Sequence, residues 1–224
     1  MLEFYKIGID SNQFNLLGKF LTKPFSAVLD IGAGSGSHSL EMSNKGKRVT
    51  IVDIQPENLN TSVWRKIDNF IIANITSLPL ANESFDAIWS SHCLEHVLDP
   101  LSVLVEWRRV LKKNGYLGIV VPPFKTQVVG RHVFTGWTTG QLMLTLLRAG
   151  YKIRNGSYLQ LGYNVCAIVQ KGDLIKFKDN DEILCKYSYL FPKQIQDEIE
   201  SSKRKNTFGE TISCFEGDIS SLGW

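Results

Sequence analysis

Apolar residues fall at Phe14, Leu17 and Leu21, three and four positions apart, which predicts a short amphipathic helix over Ser11–Leu21. Pro24 ends it. The pattern then changes to short, nearly continuous apolar runs. Ala27–Ile31, Arg48–Asp53, 70–74, 85–90 and 116–121 each read as a strand. Between them lie helical stretches over 38–45, 57–68 and 101–111. In the last of these Leu101, Leu104, Val105 and Leu111 form one stripe, which the aliphatic stem of Arg108 extends. Lys112, Lys113 and Gly115 are expected to close that helix, with the cations near its negative end.

Strands alternating with helices, each apolar throughout, predict an α/β fold with a parallel sheet covered on both faces. A further helix is expected over 138–148. After it, strands at 151–157 and 164–170 are joined by too few residues for a crossover helix, so they should form an antiparallel hairpin. The expectation is a doubly wound sheet of seven strands, mostly parallel, with an antiparallel C-terminal hairpin. Residues 1–171 form the expected domain. Residues 172–224 are an extension, with an aromatic-rich segment at 185–190 and a polar surface helix at 194–204, that caps the site, packs on the domain or is partly disordered.

Composition narrows the function classes. The chain has 224 residues, 43% hydrophobic and 21% charged, which suits one folded domain with an appendage. Residues 1–170 hold 17 Lys+Arg against 12 Asp+Glu, and residues 171–224 hold 8 against 10. The formal charge of +3 is too small to imply a nucleic-acid partner. Cys93, Cys166, Cys185 and Cys214 follow no paired spacing, and no acid/histidine cluster has metal-ligand spacing, so neither a disulfide scaffold nor a metal is expected. With no signal-peptide pattern and no apolar run of about 20 residues, a cytoplasmic protein without a transmembrane segment is expected.

The chemistry concentrates after the first strand. Gly32, Gly34 and Gly36 let the chain turn sharply and approach a ligand, and the next helix offers unpaired N–H groups at its start. Asp53 ends the second strand, where an acid can accept from both ribose hydroxyls. The loop is not a dinucleotide fingerprint, because Ser37 stands where the third glycine belongs. Asp30 precedes the loop. An anion there suits a ligand bearing positive charge better than a pyrophosphate.

These segments resemble the class I S-adenosylmethionine-dependent methyltransferases, within them the large group that includes the ubiquinone and menaquinone biosynthesis enzymes. The resemblance rests on Val28–Ser39, Val49–Asp53, Leu78–Ala87, Leu94-Glu-His-Val97 with Asp99-Pro100, and Arg109–Gly115 with Val121-Pro122, and covers about residues 25–171. It implies a Rossmann-like domain and S-adenosyl-L-methionine as cofactor. By position it places Asp30, Gly32, Gly34 and Ser37 around the methionine part, Asp53 at the ribose and Ile54 on the adenine. Asn74 and Ile75 border the adenine amine, and Ser90 and Ser91 lie beside the sulfonium. Asn74 departs from the aspartate usual there. Either its amide accepts from the adenine amine, or it only caps its loop.

A hydroxyl that accepts a methyl needs a base, whereas a carboxylate does not. His92, His96 and His132 are the candidate catalytic residues. His92 and His96 follow the fourth strand, and His132 lies in the loop after the fifth, beside Arg131, which suits an anionic group. His96 also matches the Leu-Glu-His-Val pattern and can be architectural. His38 reads as structural or cofactor-adjacent. The acceptor expected is a small molecule, in the first place an oxygen of a saccharide or polysaccharide precursor, with a quinone-like or other lipid acceptor as the alternative. A nicotinamide oxidoreductase and a non-catalytic cofactor-binding partner are the competing classes. The expected assembly is a monomer or homodimer, without nucleic acid.

Overall fold

The computed structural model describes residues 11–124, 136–205, 211–212 and 221–223. His132, Arg131 and Phe134 lie outside the described residues. Helix α1 (Ser11–Leu21) leads into β1 (Ala27–Ile31), α2 (Ser37–Asn44) and β2 (Arg48–Asp53). The expected helix over 57–68 shrinks to a 3₁₀ turn, Pro56–Asn58, and a single turn, α3 (Thr61–Trp64). The stretch 57–68 has few apolar positions, and only Leu59 and Val63 are buried from it, so little packing favours a longer helix. Strands β3 (Asn69–Ile72) and β4 (Phe85–Ser91) follow, then α4 (Pro100–Val110).

Asp99 caps α4 by accepting from the Ser102 amide at 3.1 Å, with Pro100 at the first helical position. The helix ends at Val110, and Lys112 and Lys113 lie in β5 (Leu111–Val121), so they do not close it as expected. Arg108 and Arg109 are the last-turn cations instead. Arg108 donates to the carbonyls of Gly150 and Gly172 at 3.1–3.2 Å from Nε and to Gly172 at 2.6 Å from Nη2. Its apolar stem and its charge therefore do separate jobs.

Helix α5 (Thr139–Arg148) precedes the antiparallel pair β6 (Tyr151–Leu161) and β7 (Asn164–Lys171). Beyond it come α6 (Asn180–Lys186), α7 (Lys193–Ser201), a separate two-residue pair of β8 (Arg204–Lys205) with β9 (Thr211–Ile212), and β10 (Ser221–Leu222). The main sheet runs β10-β6-β7-β5-β4-β1-β2-β3. The five strands from β3 to β5 are parallel, and β7, β6 and β10 are antiparallel to their neighbours. The expected seven strands are all present, and β10 adds an eighth among the described residues.

Two apolar clusters sandwich this sheet, one including Trp107, Leu142 and Leu146 and the other Phe20, Met42 and Trp89. β1 is buried at all five positions because it lies between them. Ile183, Phe191, Ile195 and Ile199 from the C-terminal extension are buried in the first cluster. The extension's described helices thus share the domain's core.

Candidate active site

The strand order reverses between β1 and β4, which diverge to β2 on one side and β5 on the other. Loops leaving such strands at their carboxyl ends splay apart and leave a crevice. A cleft of about 800 Å³ opens there. Eight of the expected site residues line it together: Gly32, Gly34, Asp53, Ile54, Asn74, Ile75, His92 and His96.

The glycine loop divides its labour. Gly32 has φ +73°, and a Cβ on it would stand 2.5 Å from Cys93 Sγ, so this glycine is needed for packing against the loop after β4. Gly34 has φ +52° and open space where its Cβ would point. The backbone there is open to the cleft, with no protein atom within 4 Å of the Cβ position. Asp53 joins this loop to β2. Its Oδ2 accepts from the Gly34 amide at 3.1 Å and its Oδ1 from the Gln55 amide at 3.0 Å. Ile54 beside it is 64% exposed on the cleft wall, an apolar surface for a flat ring.

Asp30, Ser37, Ser90 and Ser91 are not among the residues lining the cleft. Asp30 lies buried beneath it and accepts from Ser39 Oγ at 2.5 Å. Burial is the main cause that raises its carboxyl to about 7; the Ser39 hydrogen bond opposes the rise and Asp53 adds to it. Ser37 is buried at the start of α2, its hydroxyl 3.0 Å from that of Ser35. Ser90 is buried and donates to the Ile31 carbonyl at 3.0 Å, tying β4 to β1. Ser91 Oγ is buried without a hydrogen-bond partner.

Asn74 uses its carbonyl oxygen locally. Oδ1 accepts from the Thr76 amide at 3.0 Å and from Thr76 Oγ1 at 2.9 Å. Of the two expectations for it, the loop cap is seen, and only its Nδ2 is left to offer a ligand. His38 accepts from Trp89 Nε1 at 3.2 Å through Nδ1. Burial first, and then His92, lower it to about 4, so it is a neutral structural ring at pH 7.

The far end of the cleft is built by the 3₁₀ turn Leu94–His96. His92, His96 and Cys93 all line it there. Burial, then Glu95 and Asp53, push the Cys93 thiol up to about 12, so it stays protonated and unreactive. Sequence reasoning missed Asp99 and Ser102, which cap α4 and also line the cleft. Their signal was the capping pattern itself, placed just after the fourth strand. It also missed Glu95, fully buried between His92 and His96, with neither carboxylate oxygen hydrogen-bonded. The residues present suit S-adenosylmethionine: an acid at the end of β2 for a ribose diol, an exposed apolar wall for adenine, and a buried carboxyl under the loop for a cation.

The strand order and the crevice at its switch point are those of a Rossmann-like fold. Residues 29–119 match the family model described as "Methyltransferase domain". The chain is 36% identical over 115 residues to a demethylmenaquinone methyltransferase of Renibacterium salmoninarum, covering 50% of this chain and 48% of the relative. It is 31% identical over 100 residues to a ubiquinone biosynthesis O-methyltransferase of Xanthomonas campestris, covering 42% of each. The alignments thus span about half the length of these relatives or less. A Burkholderia thailandensis 1,6-didemethyltoxoflavin-N1-methyltransferase, solved with that compound and S-adenosylhomocysteine, shares the fold at a TM-score of 0.57 and 21% identity, covering 71% of this chain and 76% of that one. The family match thus covers residues 29–119, and the Rossmann-like fold is the one found in S-adenosylmethionine-dependent methyltransferases. Among the described residues no helix is long and apolar enough to cross a membrane.

Proposed function

We propose that this protein binds S-adenosylmethionine in the cleft and transfers its methyl group to an oxygen of a small-molecule acceptor. The observation that carries the reading is the Asp53–Gly34 unit, which puts a carboxylate and an unobstructed glycine on one wall of the cleft. When bound, the cofactor supplies an electrophilic methyl on a sulfonium. Asp53 holds the ribose, Ile54 and Ile75 flank the adenine, and Gly34 lets the methionine part lie against backbone. Asp30, lying deeper, balances positive charge through the loop. Holding the acceptor in line with the methyl can contribute about 7–11 kcal/mol of barrier lowering. His92, at the far end of the cleft, takes the proton of a hydroxyl acceptor.

The acceptor class shifts from the sequence expectation. The relatives named above do not support a saccharide. Two of them are named for menaquinone- and ubiquinone-related steps, which favours a quinone-like ring bearing hydroxyl groups. The apolar rim agrees with this: Leu98 is 89% exposed and lines the cleft with Ile75 and Val97. Calorimetric titration with S-adenosylmethionine, S-adenosylhomocysteine and NAD tests the cofactor. Binding of the two sulfur ligands but not NAD is expected, and NAD binding alone would replace this reading by an oxidoreductase. Turnover is then measured with hydroxylated quinols beside nucleotide sugars. Methylation of the sugars alone would restore the saccharide reading.

A further inference from the structure

The crossover from β3 to β4 carries no helix, although parallel strands are usually joined through one. Residues 73–84 form only turns, and Leu78 is the one buried side chain among them. Yet Asn74, Ile75 and Thr76 of this stretch line the cleft. Their places are set from α4. Trp107, fully buried, donates from Nε1 to the Ile75 carbonyl at 3.1 Å. Glu106 Oε1 accepts from the Leu78 amide at 2.8 Å. Arg109 donates to the carbonyls of Leu78 and Leu80 at 3.0 and 2.7 Å and pairs with Glu106 at 2.7 Å. The first turn of the same helix brings Ser102 and Val103 to the cleft. One helix thus lines the cleft and clamps the loop that lines it beside.

Hydrogen bonding within the loop fixes what Thr76 can offer. Its backbone N–H donates to Asn74 Oδ1 at 3.0 Å, so the amide atom facing it is the oxygen. The Thr76 hydroxyl stands 2.9 Å from the same oxygen, which can only accept, so the hydroxyl spends its one proton there. Oγ1 keeps its lone pairs and meets a ligand as an acceptor. Thr76 is exposed, and it lines the cleft. The neighbouring carbonyls are engaged inside the protein, that of Ile75 by Trp107 and that of Asn74 by the Ser77 amide at 3.2 Å.

We propose that Thr76 is a specificity-determining residue of the cleft, its Oγ1 accepting from the exocyclic amine of a purine, and that Trp107 and Arg109 are positioning residues that hold it there. This rests on the reading of the cleft as the cofactor site, with the base at residues 74–76. The ligand class so selected is a 6-aminopurine nucleoside. A 6-oxopurine would set its carbonyl oxygen against Oγ1, two acceptors with no proton between them. Turning the hydroxyl to donate outwards would take a partner from Asn74 Oδ1, so the escape itself costs a hydrogen bond. Discrimination against the wrong base thus comes from an unpaired polar contact as much as from the good one. The clamp gives this reading its precision. Without the donor on Trp107 and the fork on Arg109, residues 75–80 would keep only their own turns to fix them.

The test is calorimetric titration of the full chain with S-adenosylhomocysteine and with S-inosylhomocysteine, whose base carries an oxygen in place of the amine. The wild type should prefer the adenosyl ligand by about 10-fold, the value of one hydrogen bond. Thr76→Val, isosteric and at an exposed position, should weaken S-adenosylhomocysteine by about 3–10-fold and leave the inosyl ligand as it was, so that the preference is lost. Thr76→Ser should keep it. Trp107→Phe removes the donor to Ile75 and should narrow the preference as well. A merely structural Trp107 would lower the melting temperature and leave the ratio of the two affinities unchanged. An unchanged ratio in Thr76→Val, or a ratio lost equally in Thr76→Ser, overturns the role of Thr76, and an unchanged ratio in Trp107→Phe overturns the clamp. Should Trp107→Phe not fold, Arg109→Lys, at a partly exposed side chain, decides the clamp in its place. Failure of the wild type to bind S-adenosylhomocysteine would instead overturn the cofactor reading, and equal binding of both ligands would remove the base from this loop.

Discussion

Asp53 Oδ2 accepts the amide proton of Gly34 at 3.1 Å, so the acid that ends β2 also shapes the loop that follows β1. A single side chain therefore both lines the cleft and holds the glycine loop. Asp53→Ala should weaken S-adenosylmethionine binding by about 10–100-fold, the value of losing hydrogen bonds to a charged group. Asp53 is only partly buried, so thermal unfolding should change little. Calorimetry and a melting curve on the same sample check both parts. Wild-type affinity in the variant would remove Asp53 from the site.

Gly32 and Gly34 should separate on substitution. Both have positive φ, which disfavours alanine by about 1 kcal/mol. At Gly32 the new methyl would also collide with Cys93, so Gly32→Ala should lose stability sharply. At Gly34 the methyl would meet nothing in the protein, so Gly34→Ala should fold and yet bind S-adenosylhomocysteine poorly. The reverse pattern in melting temperature and affinity would contradict this division.

Asp30 makes the cleft sensitive to pH. Its carboxyl is raised from 3.8 to about 7, chiefly by burial. Between these values the folded protein binds a proton that the unfolded chain does not. The ligand-free fold should therefore lose stability as pH rises from about 4 to about 7, and the full penalty stands above 7. Above 7 the side chain is ionised and attracts a cation. S-adenosylmethionine should thus gain affinity relative to neutral-sulfur S-adenosylhomocysteine between pH 6 and 8. Asp30→Asn should flatten both trends. An unchanged ratio of the two affinities across that range would show that Asp30 does not sense the sulfonium.

Asn74 spends its oxygen on Thr76. Asn74→Asp keeps one oxygen for that turn and provides a second acceptor on the cleft wall. It should tighten S-adenosylmethionine binding by about 3–10-fold, the value of one modest hydrogen bond. Weaker binding in the aspartate variant would mean that Nδ2 donates to the ligand.

Much of this was legible from local pattern. The limits expected for β2 match those seen, because an apolar run between a basic residue and an acid has clear ends. The loop and Asp53 could be placed in the cleft because the loop follows β1 and Asp53 ends β2, and strand ends define where ligands bind. The limits of α4 and β5 were less legible. Leu111 fits the helical stripe, but its backbone pairs with Phe85 of β4, so it opens the strand. A side-chain pattern cannot decide which partner the backbone takes.

The sequence alone determined the strand–helix alternation, the parallel sheet with its antiparallel hairpin and the glycine loop with its acid, since each depends on neighbours a few residues apart. Tertiary structure decided which polar groups face the cleft and which are spent inside the fold. Ser90 is used on Ile31, 59 residues away, and His92 is hydrogen-bonded to Asn164, 72 residues away. Such pairings arise only when separate strands are brought side by side. A hydrogen bond that crosses the sheet leaves no periodic mark in the chain.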